Sequence, residues 1–520
     1  MATITLAPLL SSLNSSGQWP GDLLSAPNGT IINTHTASNF SFTYGADSEF
    51  TGYKVSIRGA GFAYDGGIPV DGTMTSVTIT DASGNPMISF TGLAAGTLAS
   101  DFSLFYADLF GFSNGSGGGT GPQPINAWSL LLSGNDVING TNGDDQTVMI
   151  GLNAGNDVFN MLGGNDNING SIGNDTIFGG DGFDNLWFNS TNDYMGPSMT
   201  QGIVVDVTAG TMIDAWGYTD QFTGIERFNG TAYNDKFLGS VGDDQFSGER
   251  GNDTLNGGSG GFDMAHYDND RDNGGLHGIT VDLETSSGGG KITGTIRDGY
   301  GNHDTVINID AVIGTDFNDL FIGSTGDNIF AGKAGKDSFD GDAGSDTIWF
   351  FWGNTNTGVT VDLTLATNQI ANDGFGNIET AVSIENIVGS WLGDHIKGST
   401  GTNRIEGYDG KDTLTGAGGA DTFVWYNQSD FGDNDVITDF STAAGANHDV
   451  LEFHMSNFGL STTLHLVNGA MAKQAVGTFV YKVANHTVYW DDDGTGAHSM
   501  IAIATLNGVA SLNASSFDLV

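Results

Sequence analysis

Aspartates recur nine residues apart in four blocks of this chain, a pattern of carboxylates suited to holding cations. The first block has Asp136, Asp145, Asp157, Asp166, Asp175 and Asp184, with one step of twelve. The second has Asp235, Asp244, Asp253 and Asp263, with one residue inserted before the last. The third has Asp319, Asn328, Asp337 and Asp346, and the fourth Asp394, Asn403, Asp412 and Asp421. Each carboxylate offers the hard anionic oxygen that calcium prefers. A glycine two residues earlier, as in Gly164-Asn-Asp166, permits a tight turn and close approach of backbone carbonyls. Asp235, Asp319 and Asp394, which open their blocks, lack that glycine.

Something must position those turns, and the same register supplies it. Two residues after nearly every step comes a large apolar side chain, such as Ile138, Phe159, Ile168, Phe237, Phe321 or Phe423; Thr147 and Ala265 depart from this. A short x-U-x strand points one such side chain inward, because strand side chains alternate faces. The unit is the nonapeptide G-G-x-G-x-D-x-U-x, the calcium-binding β-helix repeat of RTX proteins, and the chain therefore resembles that family. The resemblance implies two nonapeptides per coil, calcium ions between successive turns on one edge, and secretion from a Gram-negative bacterium by a type I apparatus. One Gly-Asn-Asp would be ordinary turn chemistry; sixteen aspartates in register favour calcium, and all sixteen are expected metal ligands.

Composition agrees with a turn-rich β protein. Glycine is 82 of 520 residues, and Glu makes up only eight of the 61 acids, where helix surfaces would favour it. The net charge of −46 argues against nucleic acid as a partner and resists compaction until cations offset it. Cysteine is absent, so disulfides and thiolate chemistry contribute nothing. Neither a signal peptide nor a membrane span is expected from the sequence. The terminal Phe517-Asp-Leu-Val520 is similar to the end of type I secretion signals.

The expected fold is all-β: a parallel RTX β-roll or solenoid with a small N-terminal β domain and a C-terminal β cap. Residues 1–112 form the small domain, 113–124 a glycine-rich linker, 125–424 the roll in four blocks, and 425–520 the cap with its secretion region. Inside the roll, Gly202-Ile-Val-Val-Asp-Val, Gly278-Ile-Thr-Val-Asp-Leu and Gly358-Val-Thr-Val-Asp-Leu open related inserts. Each leads to a matching segment at Ile225, Ile309 or Ile384. The inserts read as continued coils, with side flaps the alternative.

Catalytic signals are weak. None of the ten histidines is followed by Glu, which excludes H-E-x-x-H. Gly111-Phe-Ser-Asn-Gly115 matches a nucleophile elbow but runs into glycine-rich sequence, and Gly257-Gly-Ser-Gly-Gly261 is repeat sequence. His266, His303 and His395 read as surface residues. Asp491, Asp492 and Asp493 read equally as one more calcium site or a hydrated turn. The aromatics at Trp187, Trp349–Trp352 and Trp425 read as plugs of an apolar channel rather than a glycan platform. The expectation is a secreted, non-catalytic calcium-binding protein of a surface layer, biofilm or adhesive matrix. Its partners would be calcium, itself and cell-surface polysaccharide. The alternative is an enzyme on exopolysaccharide that uses the roll for secretion and folding.

Overall fold

The computed structural model describes three stretches of the chain. The first is the backbone of 3–6, 31–36, 39–43, 54–65, 68–80 and 86–91. The second is 135–188 except 136, 141 and 146–154; the third is 199–520 except 284–290, 354, 427–430, 455–463 and 475. The 113–124 segment, the Gly111–Gly115 match, Thr147 and Asp136 lie outside the described residues. The described chain is strands and turns with a single 3-10 turn at Ala514–Ser516 and no α-helix, so the all-β expectation holds.

The chain divides into two compact units, residues 1–251 and 252–520. In the first, an antiparallel sheet contains Asn39–Thr43, Lys54–Asp65, Ile68–Thr80 and Pro86–Thr91. Its strand Thr3–Leu6 pairs with Pro86–Thr91 on one side and runs parallel to Val137–Asn139 on the other, so it meets the first coil directly. From there consecutive nonapeptides alternate between two sheets. Val158–Asn160 pairs with Thr176–Phe178, while Asn167–Asn169 pairs with Asn185–Trp187, all in parallel.

The second unit repeats the scheme. One sheet stacks Val312, Phe330, Ile348, Ile387, Ile405, Phe423, Leu451 and Phe517 in register. The cause is the three-residue strand: its centre is buried and its flanks half-exposed, so register decides which side chains meet. Phe321 lies flat on Phe339, with ring centroids 4.9 Å apart and planes 6° apart. Truncating such a ring to Ala costs about 3–5 kcal/mol.

The inserts are neither plain coils nor flaps. Val204–Asp206 runs parallel to Lys236–Leu238, and Thr219–Thr223 runs parallel to Thr176–Phe178. Between them Thr211–Ile213 is antiparallel to both. Ile292–Arg297 and Ile370–Asn372 occupy the same middle place in the later inserts. At the C-terminal end, Asp435–Ile437 and Val450–Phe453 continue the coils in parallel. Thr478–Lys482, Thr487–Asp491 and Ile501–Leu506 then form an antiparallel meander.

Candidate metal centre

The strands set the aspartates in two rows along the edges of the coils, where each one holds the next. The N–H of Asp157 donates to Asp175 Oδ1 at 2.8 Å, and that of Asp166 to Asp184 Oδ1 at 2.9 Å. Asp145 donates likewise to Asp166 at 2.7 Å. In the second unit, Asp319 donates to Asp337 and Asp394 to Asp412, both at 2.8 Å, and Asn403 to Asp421 at 2.9 Å. The side chains are buried despite their charge, Asp166, Asp184 and Asp412 fully so. A buried charge is tolerated only when it is paired or hydrogen-bonded.

Where a nonapeptide block ends, acids outside the register continue the row. Asp175 and Asp184 donate to Asp220 Oδ1 and Glu226 Oε2, both at 2.7 Å. Asp253 donates to Asp304 at 2.8 Å and Asp263 to Asp310 at 2.7 Å. Asp337 and Asp346 reach Glu379 and Glu385, while Asp412 and Asp421 reach Asp435 and Asp449. Sequence reasoning missed all eight acids. A signal existed for six of them: the acid directly after Ile225, Ile309 and Ile384 in the matching segments, and the recurring D-x-aromatic-G-x-x-D/E that ends in Asp220, Asp304 and Glu379. Its first aspartate closes the loop: Asp298 Oδ1 accepts from the N–H groups of Tyr300 and Asn302, at 3.0 and 2.6 Å.

Two kinds of turn follow from what stands four residues before the aspartate. In the closed kind that residue is Ser or Thr. The N–H groups of Thr231, Thr315 and Ser390 donate to Oδ2 of Asp235, Asp319 and Asp394 at 2.7, 2.8 and 2.6 Å. Their Oδ1 atoms accept from Ile203, Ile279 and Val359. Asp244 and Asp175 are held similarly, by the Ser240 N–H at 2.6 Å and the Ser171 hydroxyl at 2.6 Å. In the open kind the residue four before has positive φ: Leu162, Gly180, Lys333, Asp342 and Tyr408 precede Asp166, Asp184, Asp337, Asp346 and Asp412. Those five aspartates keep a buried Oδ2 with no hydrogen-bond partner among the described residues. Left-handed backbone at a non-glycine residue costs about 1–2 kcal/mol and marks a place held for a reason. The glycine five before is also required, since a Cβ on Gly407 would lie 2.1 Å from Asp412 Oδ2.

Electrostatics points the same way. Burial, then repulsion from Asp435 and Asp394, pushes Asp412 up to about 9. Burial with Asp184 and Asp145 nearby raises Asp166 to about 7, and burial beside Glu385 does the same for Asp346. Burial and the paired acid Glu379 hold Asp337 far above the usual carboxylate range. Clustered carboxylates with open oxygens fit a hard divalent cation, which supplies the missing charge and takes about 6–8 oxygens when bound.

The family model of the RTX calcium-binding nonapeptide repeat matches residues 132–146, 153–186, 162–195, 223–261, 313–348 and 388–423. The chain carries the RTX calcium-binding repeat in several copies. RTX nonapeptide repeats bind calcium, several ions across the repeats. No curated protein matches the chain. Among solved structures, the extracellular lipase LipA from Serratia marcescens is similar at 15% identity over 57% of this chain and 40% of its own length, with a TM-score of 0.15. So loose a superposition says nothing of activity.

Other sites follow expectation only in part. His266 is fully buried against Trp352, with centroids 5.4 Å apart, whereas His303 and His395 are exposed. Trp425 is buried on Phe453, as a plug should be. Trp349 and Phe351 instead stack with Phe262 and Tyr408 in a half-exposed row. Asp492, Asp493 and His498 bring ligand atoms within 4.8 Å of one another.

Proposed function

We propose that this RTX-repeat protein is a secreted structural protein of the bacterial surface or extracellular matrix, without catalytic activity, whose roll folds on calcium outside the cell. The observation that carries the reading is the set of buried aspartates with open oxygens at the coil edges. Of the sixteen expected ligands, Asp166, Asp184, Asp337, Asp346 and Asp412 face the ions, and the insert and cap acids complete their sites. Asp235, Asp319 and Asp394 act as internal brackets, with both oxygens engaged.

Inside a cell, where free calcium is scarce, repulsion keeps the chain open for the type I apparatus. Outside, modules of this type bind at roughly 10⁻⁴–10⁻³ M and the roll closes. Residues 1–112 then hold cell-surface polysaccharide or a second copy. No helix among the described residues is long and apolar enough to cross a membrane. Light scattering and cell binding in calcium, on the full chain and on one starting near residue 125, test the proposal. Calcium-dependent assembly or binding that needs residues 1–112 is expected. Monomers that bind no cells at millimolar calcium would refute it.

A further inference from the structure

The last aspartates of the first three blocks are equivalent. Asp184, Asp263 and Asp346 each donate their N–H to an acid of the following insert, at 2.7, 2.7 and 2.9 Å. At Asp184 and Asp346 the Oδ2 atom is buried with no hydrogen-bond partner among the described residues. At Asp263 the same place is filled. Lys291 Nζ lies 2.8 Å from Asp263 Oδ2 and 2.6 Å from Asp310 Oδ2. It also donates to the carbonyls of Gly260 at 3.0 Å and Gly261 at 3.1 Å.

Two carboxylates and two glycine carbonyls are the oxygen set of a calcium turn, and here they surround an ammonium. Three of the four distances exceed calcium–oxygen bonds of about 2.3–2.6 Å by a few tenths of an ångström, as an ammonium requires, and that to Asp310 stands at the upper end of the range. We infer that Lys291 is a tethered substitute for one calcium ion of the roll, its single charge offsetting one of the two carboxylates at the Asp263 turn without metal. The inference rests on the calcium reading of the other turns.

Several features support it. Lys291 stands just before the middle strand Ile292–Arg297, while Gly210 and Gln369, uncharged, stand before the middle strands of the other inserts. Its side chain is 19% exposed, and that of Asp263 is fully buried. An ordinary surface ion pair has neither the burial nor the carbonyls. The lysine thus gives the second unit one turn whose oxygens are held by the chain's own cation, from which neighbouring coils close as the ion arrives.

Calcium bound per chain, measured by equilibrium dialysis on the full-length protein, tests this. Lys291→Met opens the oxygen set and should bind one ion more than the parent, whereas Lys291→Arg keeps the parent's count. An unchanged count and calcium midpoint in Lys291→Met overturns the inference. The parent's own count tests the calcium reading, so the two failures are separable. Should Lys291→Met not fold in calcium, amine acylation of the parent, read by mass spectrometry, decides instead. Lys291 should react far more slowly than exposed Lys411 and Lys473 in the calcium-loaded protein. Equal rates would mean that an ion displaces the lysine, or that it never sits there.

Discussion

Asp319 and Asp337 stand eighteen residues apart on one edge of the roll, both buried and joined by a hydrogen bond. Both oxygens of Asp319 are engaged: Ile279 serves one and Thr315 the other. Asp337 differs. Its Oδ2 has no donor among the described residues, Glu379 crowds it, and Lys333 four residues earlier is forced to positive φ. In the third and fourth blocks the chain's own hydrogen bonds close the first coil, while the second leaves buried oxygens without a donor among the described residues. Asp394 and Asp412 repeat the contrast.

The largest effect should come from breaking a closed turn. Asp319→Ala strands two buried backbone donors, each costing about 1–3 kcal/mol. Urea midpoints in saturating calcium should fall accordingly, with the ion count unchanged. Loss of an ion would place Asp319 among the ligands.

An open turn should behave oppositely. Asp412→Asn removes a carboxylate raised by burial and by Asp435, so in chelator the variant should outlast the parent. In calcium it should bind one ion fewer and need several-fold more calcium to fold. Destabilisation of the same size with and without calcium would make Asp412 another bracket.

Acid should substitute in part for calcium. Asp166, Asp346 and Asp412, raised to about 7, 7 and 9, bind protons more readily folded than unfolded, where carboxylates titrate near 4. Their stability contribution in chelator is complete below about pH 4 and disappears as pH rises through 7 to 9. Circular dichroism in chelator should show more β structure near pH 5 than near pH 8. The reverse trend would rule out uncompensated carboxylates as the cause.

The smallest effect concerns backbone strain. Ala417 sits at φ 72° before Asp421, and Ala417→Gly should stabilise the roll by about 1 kcal/mol without changing the ion count. Equal urea midpoints would show that the turn carries no strain there.

The nonapeptide register was enough to read the strands, the stacked core and the aspartate rows, because a fixed period forces equivalent residues into equivalent places. It could not reveal Glu226, Glu385 or Asp449, since these acids reach the rows across inserts of a different length. The antiparallel middle strands were likewise hidden: Thr211–Ile213 is too short to carry a signature of its direction. Lys291 is legible only in space, twenty-eight residues from Asp263. His266 looked exposed by its place between turns, but it fills a strand whose three residues are all buried.

Central to this account is that calcium, and not chain chemistry alone, closes the roll. Far-ultraviolet circular dichroism of the full chain near pH 8, first in excess chelator and then through a calcium titration, tests it most directly. The account predicts that the β signal collapses in chelator and returns cooperatively as calcium is added. A chelated spectrum identical to the calcium-loaded one would contradict it.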